Sequence, residues 1–266
     1  MTAPNEFQHI EECMGTVFVF KGRSPLDDQK TEQVIQNAVA ILHKSDQIFS
    51  LYKPESPLSR LARGEASVAD LPPVVSEIWD DCEEWEKRTD GWFKAFTPQH
   101  TFEPSGLVKT WAAAKAAERL RAEGILDFTL NAGGDIMLND ELTENIDWCI
   151  GISKPITIAS PDAGVLTVFD LKGTVFRAVA TSGSAERGNH IWNPKFEGDI
   201  QDELVQVSVI AKDLVTADVW ATAAFAEGLR AVERLNREPD VEALFVMRDG
   251  GLAGTDAIVP LFAKLD

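Results

Sequence analysis

Apolar positions recur at two spacings along this chain, and the switches between them outline its elements. From about Asp28 to Phe49, residues Val34, Ile35, Ala38, Ile41, Leu42 and Phe49 keep a helical spacing. A second helix is predicted over Pro73 to Arg88, ending before Thr89-Asp90-Gly91. A third, alanine-rich, covers Ser105 to Glu123 and stops at Gly124, a residue suited to the left-handed position after a helix. A fourth runs from about Thr216 to Leu229. Short β-branched and aromatic stretches predict strands at Thr16–Phe20, Ile125–Leu130, Trp148–Ile152, Val165–Phe169, Val175–Ala180, Leu204–Ile210 and Ala243–Met247. Ser50 to Pro57 holds two prolines and is a loop. Helices and strands mix without strict βαβ alternation. The expected fold is therefore α+β, one domain over residues 1–266 with a largely antiparallel sheet flanked by helices.

Composition changes this picture mainly by exclusion. With 266 residues and 44% hydrophobic content the chain can bury a large core. Its net charge of −18 argues against nucleic acid or an anionic membrane as the main partner. A phosphate-bearing ligand would need a divalent cation or a local donor cluster to overcome that charge, which otherwise serves solubility. Cys13, Cys82 and Cys149 are far apart with no CxxC pair, so reduced thiols are expected. Met1 to Cys13 has neither a basic nor an apolar leader region, and no apolar run nears the ~20 residues that span a bilayer. No membrane insertion and a cytoplasmic location are expected. GxxxxGK[ST], HExxH, GxSxG and a helix-opening GxGxxG are all absent.

Four constellations carry candidate chemistry, each beside a plainer alternative. Asn131-Ala132-Gly133-Gly134-Asp135 follows a strand; its glycines permit positive φ, and Asp135 can accept from a ligand or from the turn itself. Ala180-Thr181-Ser182-Gly183-Ser184, with Arg187 and His190, suits an anion in a donor-rich loop after a strand. In isolation His190 reads first as an ordinary structural or surface histidine; His9, His43 and His100 carry no signal. Asp218 and Thr222 fall one helical turn apart and offer the hard oxygens that Mg2+ prefers. The plainer account of Asp218 is an acid near a helix N-terminus. Glu103-Pro104-Ser105-Gly106-Leu107-Val108-Lys109 opens a helix whose free N–H groups can hold an anion, or simply starts one.

The order of the motifs says more than any one of them. Met14-Gly15-Thr16 is followed by Phe49-Ser50-Leu51-Tyr52, Ser56, Ser59-Arg60-Leu61, Gly91-Trp92-Phe93, Ser105-Gly106-Leu107-Val108-Lys109 and Asn131-Ala132-Gly133-Gly134-Asp135. Ala180-Thr181-Ser182-Gly183, His190-Ile191 with Pro194, and Ala217-Asp218 with Ala221-Thr222-Ala223 complete the series. From about residue 14 to 230 the chain resembles the FAD:protein FMN transferases, the ApbE-type family. The resemblance implies an ApbE/T-fold-like α+β domain that takes FAD as substrate with Mg2+ at its pyrophosphate. It implies Met14, Tyr52, Trp92, Phe93, Glu103, Lys109 and Thr181 as flavin-nucleotide contacts. Mg2+ falls to Asp218, Thr222 and the Gly106 carbonyl, and catalysis to His190. The implied reaction moves FMN onto a threonine of an acceptor flavoprotein and releases AMP. Departures from the family pattern lie at Lys94, Glu103, Thr110, Ala114 and Asn193. They keep two alternatives open: an FAD-binding protein without catalysis, and an FAD hydrolase giving free FMN and AMP.

Overall fold

The computed structural model describes residues 5–138, 148–155, 164–183, 194–195 and 204–264. Described residues of Met1–Arg88, Lys94–Gly134 and Leu138–Ile146 form one compact unit. Those of Thr89–Phe93, Asp135–Met137 and Asp147–Asp266 form a second.

The first unit is built on an antiparallel meander of β1 (Asn5–Cys13), β2 (Thr16–Ser24) and β3 (Asp127–Ala132). Its helices are α1 (Asp28–Phe49), α2 (Pro57–Ala62), α3 (Pro73–Arg88) and α4 (Ser105–Ala122). Asp27 caps α1 by accepting from Lys30 N at 2.9 Å, satisfying one of the orphan donors of the first turn. Val34, Ile35, Ala38, Val39 and Leu42 then form its buried stripe. In α4 the buried positions include Ala112, Ala113, Ala116 and Ala117, and these small side chains let α4 pack closely on α1.

The second unit joins β4 (Asp135–Leu138), β7 (Ala178–Gly183), β8 (Leu204–Ala211), β9 (Val241–Met247) and β10 (Leu252–Gly254) in that order. β5 (Cys149–Ser153) and β6 (Val165–Asp170) pair separately. Each of these pairings is antiparallel. Every residue of β8 is buried, and α5 (Leu214–Glu227) lies against β7 and β8. α5 is apolar nearly all round, as a helix packed on several sides must be. Trp220 on α5 and Phe245 on β9 are 1% and 0% exposed. A fully buried side chain of this kind contributes about 1.5–3 kcal/mol. A short helix, α6 (Ala231–Leu235), follows.

The helices thus match their periodicity closely, and the sheet is antiparallel as expected. Two strands are displaced: Ile125–Leu130 is observed two residues on as Asp127–Ala132, and Val175–Ala180 is replaced by Ala178–Gly183. Thr174 explains the second shift, since its hydroxyl donates to Leu171 O at 2.8 Å and accepts from Phe176 N at 3.2 Å. That turn draws Val175 and Phe176 away from the ladder. β1 had no apolar signal because its inward positions are Phe7, His9, Glu11 and Cys13, a period of two interrupted at its centre by two polar residues. No helix among the described residues is long and apolar enough to cross a membrane.

Candidate functional site

α5 begins with a cap that clarifies Asp218. Asp213 accepts from Thr216 N at 2.9 Å and from Thr216 Oγ1 at 2.8 Å, so the acid at the helix N-terminus is Asp213. Asp218 lies deeper in the helix and is 6% exposed. One turn further, Thr222 Oγ1 sits 3.4 Å from Ser182 Oγ on β7. A carboxylate is costly to bury, and Asp218 is engaged within the fold. Carboxylate and hydroxyl oxygens fit Mg2+, which keeps waters and substrate phosphate oxygens in its octahedron. Among the described residues no three His, Cys, Asp or Glu side chains gather as a metal cage.

Asp135 holds the neighbouring backbone. β4 pairs with β7 at Ile136↔Val179 and Met137↔Ala178. Beyond those pairs the Asp135 carboxylate accepts from Thr181 N at 3.0 Å, standing in for a missing ladder acceptor. Asp135 is 3% exposed, and this bond spends one of its oxygens on the backbone of β7. The turn is secured by Asn131 instead, whose Oδ1 accepts from Gly134 N at 2.8 Å. Gly133 and Gly134 adopt φ of 66° and 103°, which L side chains rarely adopt.

Thr181, Ser182 and Gly183 lie within β7 and not in a loop after it. The strand is extended by its pairing with β8, where Thr181 Oγ1 meets Ser208 Oγ at 2.9 Å. A side chain at Gly183 would meet Val205 O at 2.7 Å, so close strand approach accounts for that glycine. Ser208 had no sequence signal; only the register of two strands brings it to Thr181.

Thr89 organises the Gly91-Trp92-Phe93 segment. Its carbonyl accepts from Trp92 N at 3.2 Å and its hydroxyl from Phe93 N at 3.0 Å. Phe93 is 2% exposed and serves as core, whereas Trp92 is half-buried. Lys195 Nζ donates to Asp90 Oδ2 at 2.8 Å and lies 4.7 Å from the centre of the Trp92 ring. That hydrogen bond, with Arg234 also near, holds the Asp90 carboxyl below its ordinary range.

The remaining candidates belong to the first unit. Met14 is half-buried in the β1–β2 turn with φ 55°, an uncommon conformation for a residue with a Cβ. Tyr52 is 97% exposed on a loop whose Ser50 carbonyl accepts from Ser56 Oγ and Ser59 Oγ. Glu103 accepts from Ser105 Oγ at 3.3 Å, and its N–H donates to Ala95 O at 2.7 Å. Gly106 and Lys109 are half-buried in the first turns of α4, where the N-cap Pro104 offers no side-chain acceptor. Lys94 pairs with Glu86 at 3.5 Å, and Thr110 is buried with its hydroxyl on Leu107 O. His190, Ser184, Arg187 and Asn193 lie outside the described residues.

A thiol, an imidazole and a carboxylate also line up in the first unit. Cys13 Sγ is 3.6 Å from His43 Nδ1, and His43 Nε2 is 2.8 Å from Glu11. Burial, and then the nearby Asp46 charge, push the Cys13 thiol up to about 11, which rules out a thiolate nucleophile at neutral pH. None of the three cysteines is in a disulfide; Cys13 and Cys82 are buried, but Cys149 is exposed.

Comparison with known proteins adds an independent line. A model of the ApbE family matches residues 97–245. That stretch contains Glu103, Gly106, Lys109, Thr181, His190, Asp218 and Thr222, and leaves Met14, Tyr52, Trp92 and Phe93 outside. An FAD:protein FMN transferase of Klebsiella pneumoniae (strain 342) is 28% identical over 152 residues, 54% of this chain and 44% of that protein. A protein of the same name from Salmonella typhimurium is 25% identical over 154 residues, 55% of this chain and 42% of its own. The matched stretch thus spans less than half the length of these relatives. The flavinyl transferase ApbE of Pseudomonas stutzeri, solved in its apo form, superposes with a TM-score of 0.80 at 19% identity, covering 99% of both chains. The flavin transferase ApbE of Vibrio cholerae gives 0.78 at 18%, covering 97% of this chain and all of the other.

Proposed function

Since this chain belongs to the ApbE family, we propose that it transfers FMN from FAD to a threonine hydroxyl of an acceptor flavoprotein, with Mg2+ bound, and releases AMP. The observation that carries this reading is the buried Asp218 carboxylate with Thr222 one turn on and Ser182 beside it. Asp218 and Thr222 would hold the ion. When bound, Mg2+ supplies neutralising charge at a pyrophosphate and stabilises the departing AMP.

The chain's own residues divide the other tasks. His190 takes the proton of the acceptor hydroxyl. The threonine oxygen forms its bond to the FMN phosphorus, and the bond from that phosphorus to the oxygen of AMP breaks. Thr181 is oriented for contact with the nucleotide by its backbone bond to Asp135 and its hydroxyl pair with Ser208. Trp92 presents an indole suited to a flavin ring, with Lys195 as its present neighbour.

The test is AMP release and protein-bound flavin, measured with FAD, an acceptor domain bearing a target threonine, and Mg2+ or EDTA. Stoichiometric AMP and acceptor-bound FMN, both lost with EDTA, are the expected result. Free FMN with AMP would indicate a hydrolase. FAD bound but intact after long incubation would indicate a binding protein.

A further inference from the structure

Between α1 and α4, beside the start of α3, the first unit holds an open cavity of about 450 Å³. Its size lies within the range of small-ligand pockets. The floor is apolar: Ile48 and Phe49 from α1, Val74 from α3 and Trp111 from α4. Phe49 and Trp111 meet edge to face, with centroids 6.2 Å apart. Ser45 adds no polarity, because its hydroxyl is spent on Ile41 O at 2.9 Å.

The rim has the opposite character to the chain as a whole. Lys44, Lys115 and Arg119 border the cavity with Glu118 as the one acid, in a protein of net charge −18. Glu118 engages Lys115 at 3.0 Å, and Arg119 pairs with Glu123 at 2.6 Å. Lys44 forms no ion pair among the described residues. An apolar slot edged by an unmatched cation selects an anion with an apolar body. We propose that this cavity binds a small amphipathic organic anion, an aromatic or branched apolar group bearing a carboxylate or sulfonate. The site stands apart from the flavin reading and uses none of its residues.

Anilinonaphthalene sulfonate is a probe of that chemistry and can be titrated by fluorescence into the full chain. One saturable site is expected, undisturbed by excess FAD and Mg2+. Lys44→Glu with Lys115→Glu should weaken it about tenfold, since both replaced groups are exposed rim charges. Val74→Trp, which fills the slot from a half-buried position, should abolish it while circular dichroism stays unchanged. Displacement by FAD, or binding that neither variant alters, would overturn the proposal. So would absence of saturable binding, or a concentration-dependent dimer that Val74→Trp dissolves, which would make the slot a seat for a second copy.

Discussion

Two helices, α4 and α5, hold their candidate residues in opposite ways. α4 starts without a side-chain cap, and Gly106 and Lys109 are half-exposed in its first turns. α5 starts on the Asp213 cap and carries Asp218 inside, 6% exposed, with Thr222 reaching Ser182. A half-solvated lysine costs little where it stands, so its position says little about use. A buried carboxylate is expensive and persists only where something offsets it. Burial thus makes any change at Asp218 costly, while Lys109 stands where a change is cheaper.

The largest effect that could break this contrast is on turnover. Asp218→Ala should lower Mg2+-dependent AMP release by about 10²–10³-fold, the scale of losing one preorganised electrostatic group. Lys109→Ala should cost only about tenfold, the worth of one charge-assisted contact. Equal losses in a side-by-side assay would erase the distinction between the helices.

Stability offers the next test. Asp135→Ala leaves Thr181 N without its acceptor and should cost about 1–3 kcal/mol of unfolding free energy, read from urea midpoints. Glu103→Ala on the first unit, half-exposed and lightly bonded, should shift stability by no more than about 0.5 kcal/mol. A larger cost at Glu103 than at Asp135 would reverse the ranking.

Tyr52→Ala probes an exposed aromatic. FAD affinity should fall by about tenfold at most, the worth of one aromatic contact, with the urea midpoint unchanged. Flavin fluorescence titration measures it, and an unaltered affinity would remove Tyr52 from the site.

The smallest effect concerns pH. The hydrogen bond from His43, and more weakly that from His9, holds the Glu11 carboxyl below its ordinary range. A lowered folded pKa means the pairing stabilises fully above the unfolded carboxylate range and is lost as pH falls through the lowered value. Urea midpoints between about pH 6 and pH 3 should therefore drop less steeply for Glu11→Gln than for the native chain. Glu11 is half-buried and its partner His43 is exposed, so water screens part of the effect and keeps it small. A steeper drop in the variant would contradict the sign.

The legible parts share a scale. α1, α3 and α4 could be placed within a residue or so because apolar period, caps and terminal glycines act within each segment. β7 slid by three residues because a turn at Thr174, which the apolar stretch does not report, claimed its start. β1 went unseen because its inward face carries His9 and Glu11 in place of aliphatic residues.

By itself the sequence determined the four longer helices, the antiparallel α+β class and the spacing of Asp218 and Thr222, all properties of neighbours along the chain; the short α2 and α6 carried too few turns to show a period. Only the tertiary structure decided that Thr181 meets Ser208, Asp135 holds Thr181, Ser182 meets Thr222 and Lys195 reaches Asp90. Those contacts join residues 27, 46, 40 and 105 positions apart. No local propensity specifies such pairs. Strand register and the packing of α5 on β7 and β8 set the first three of these contacts, where burial of Asp135, Ser182 and Ser208 makes a partner obligatory; the Lys195–Asp90 pair is exposed and rests on neither.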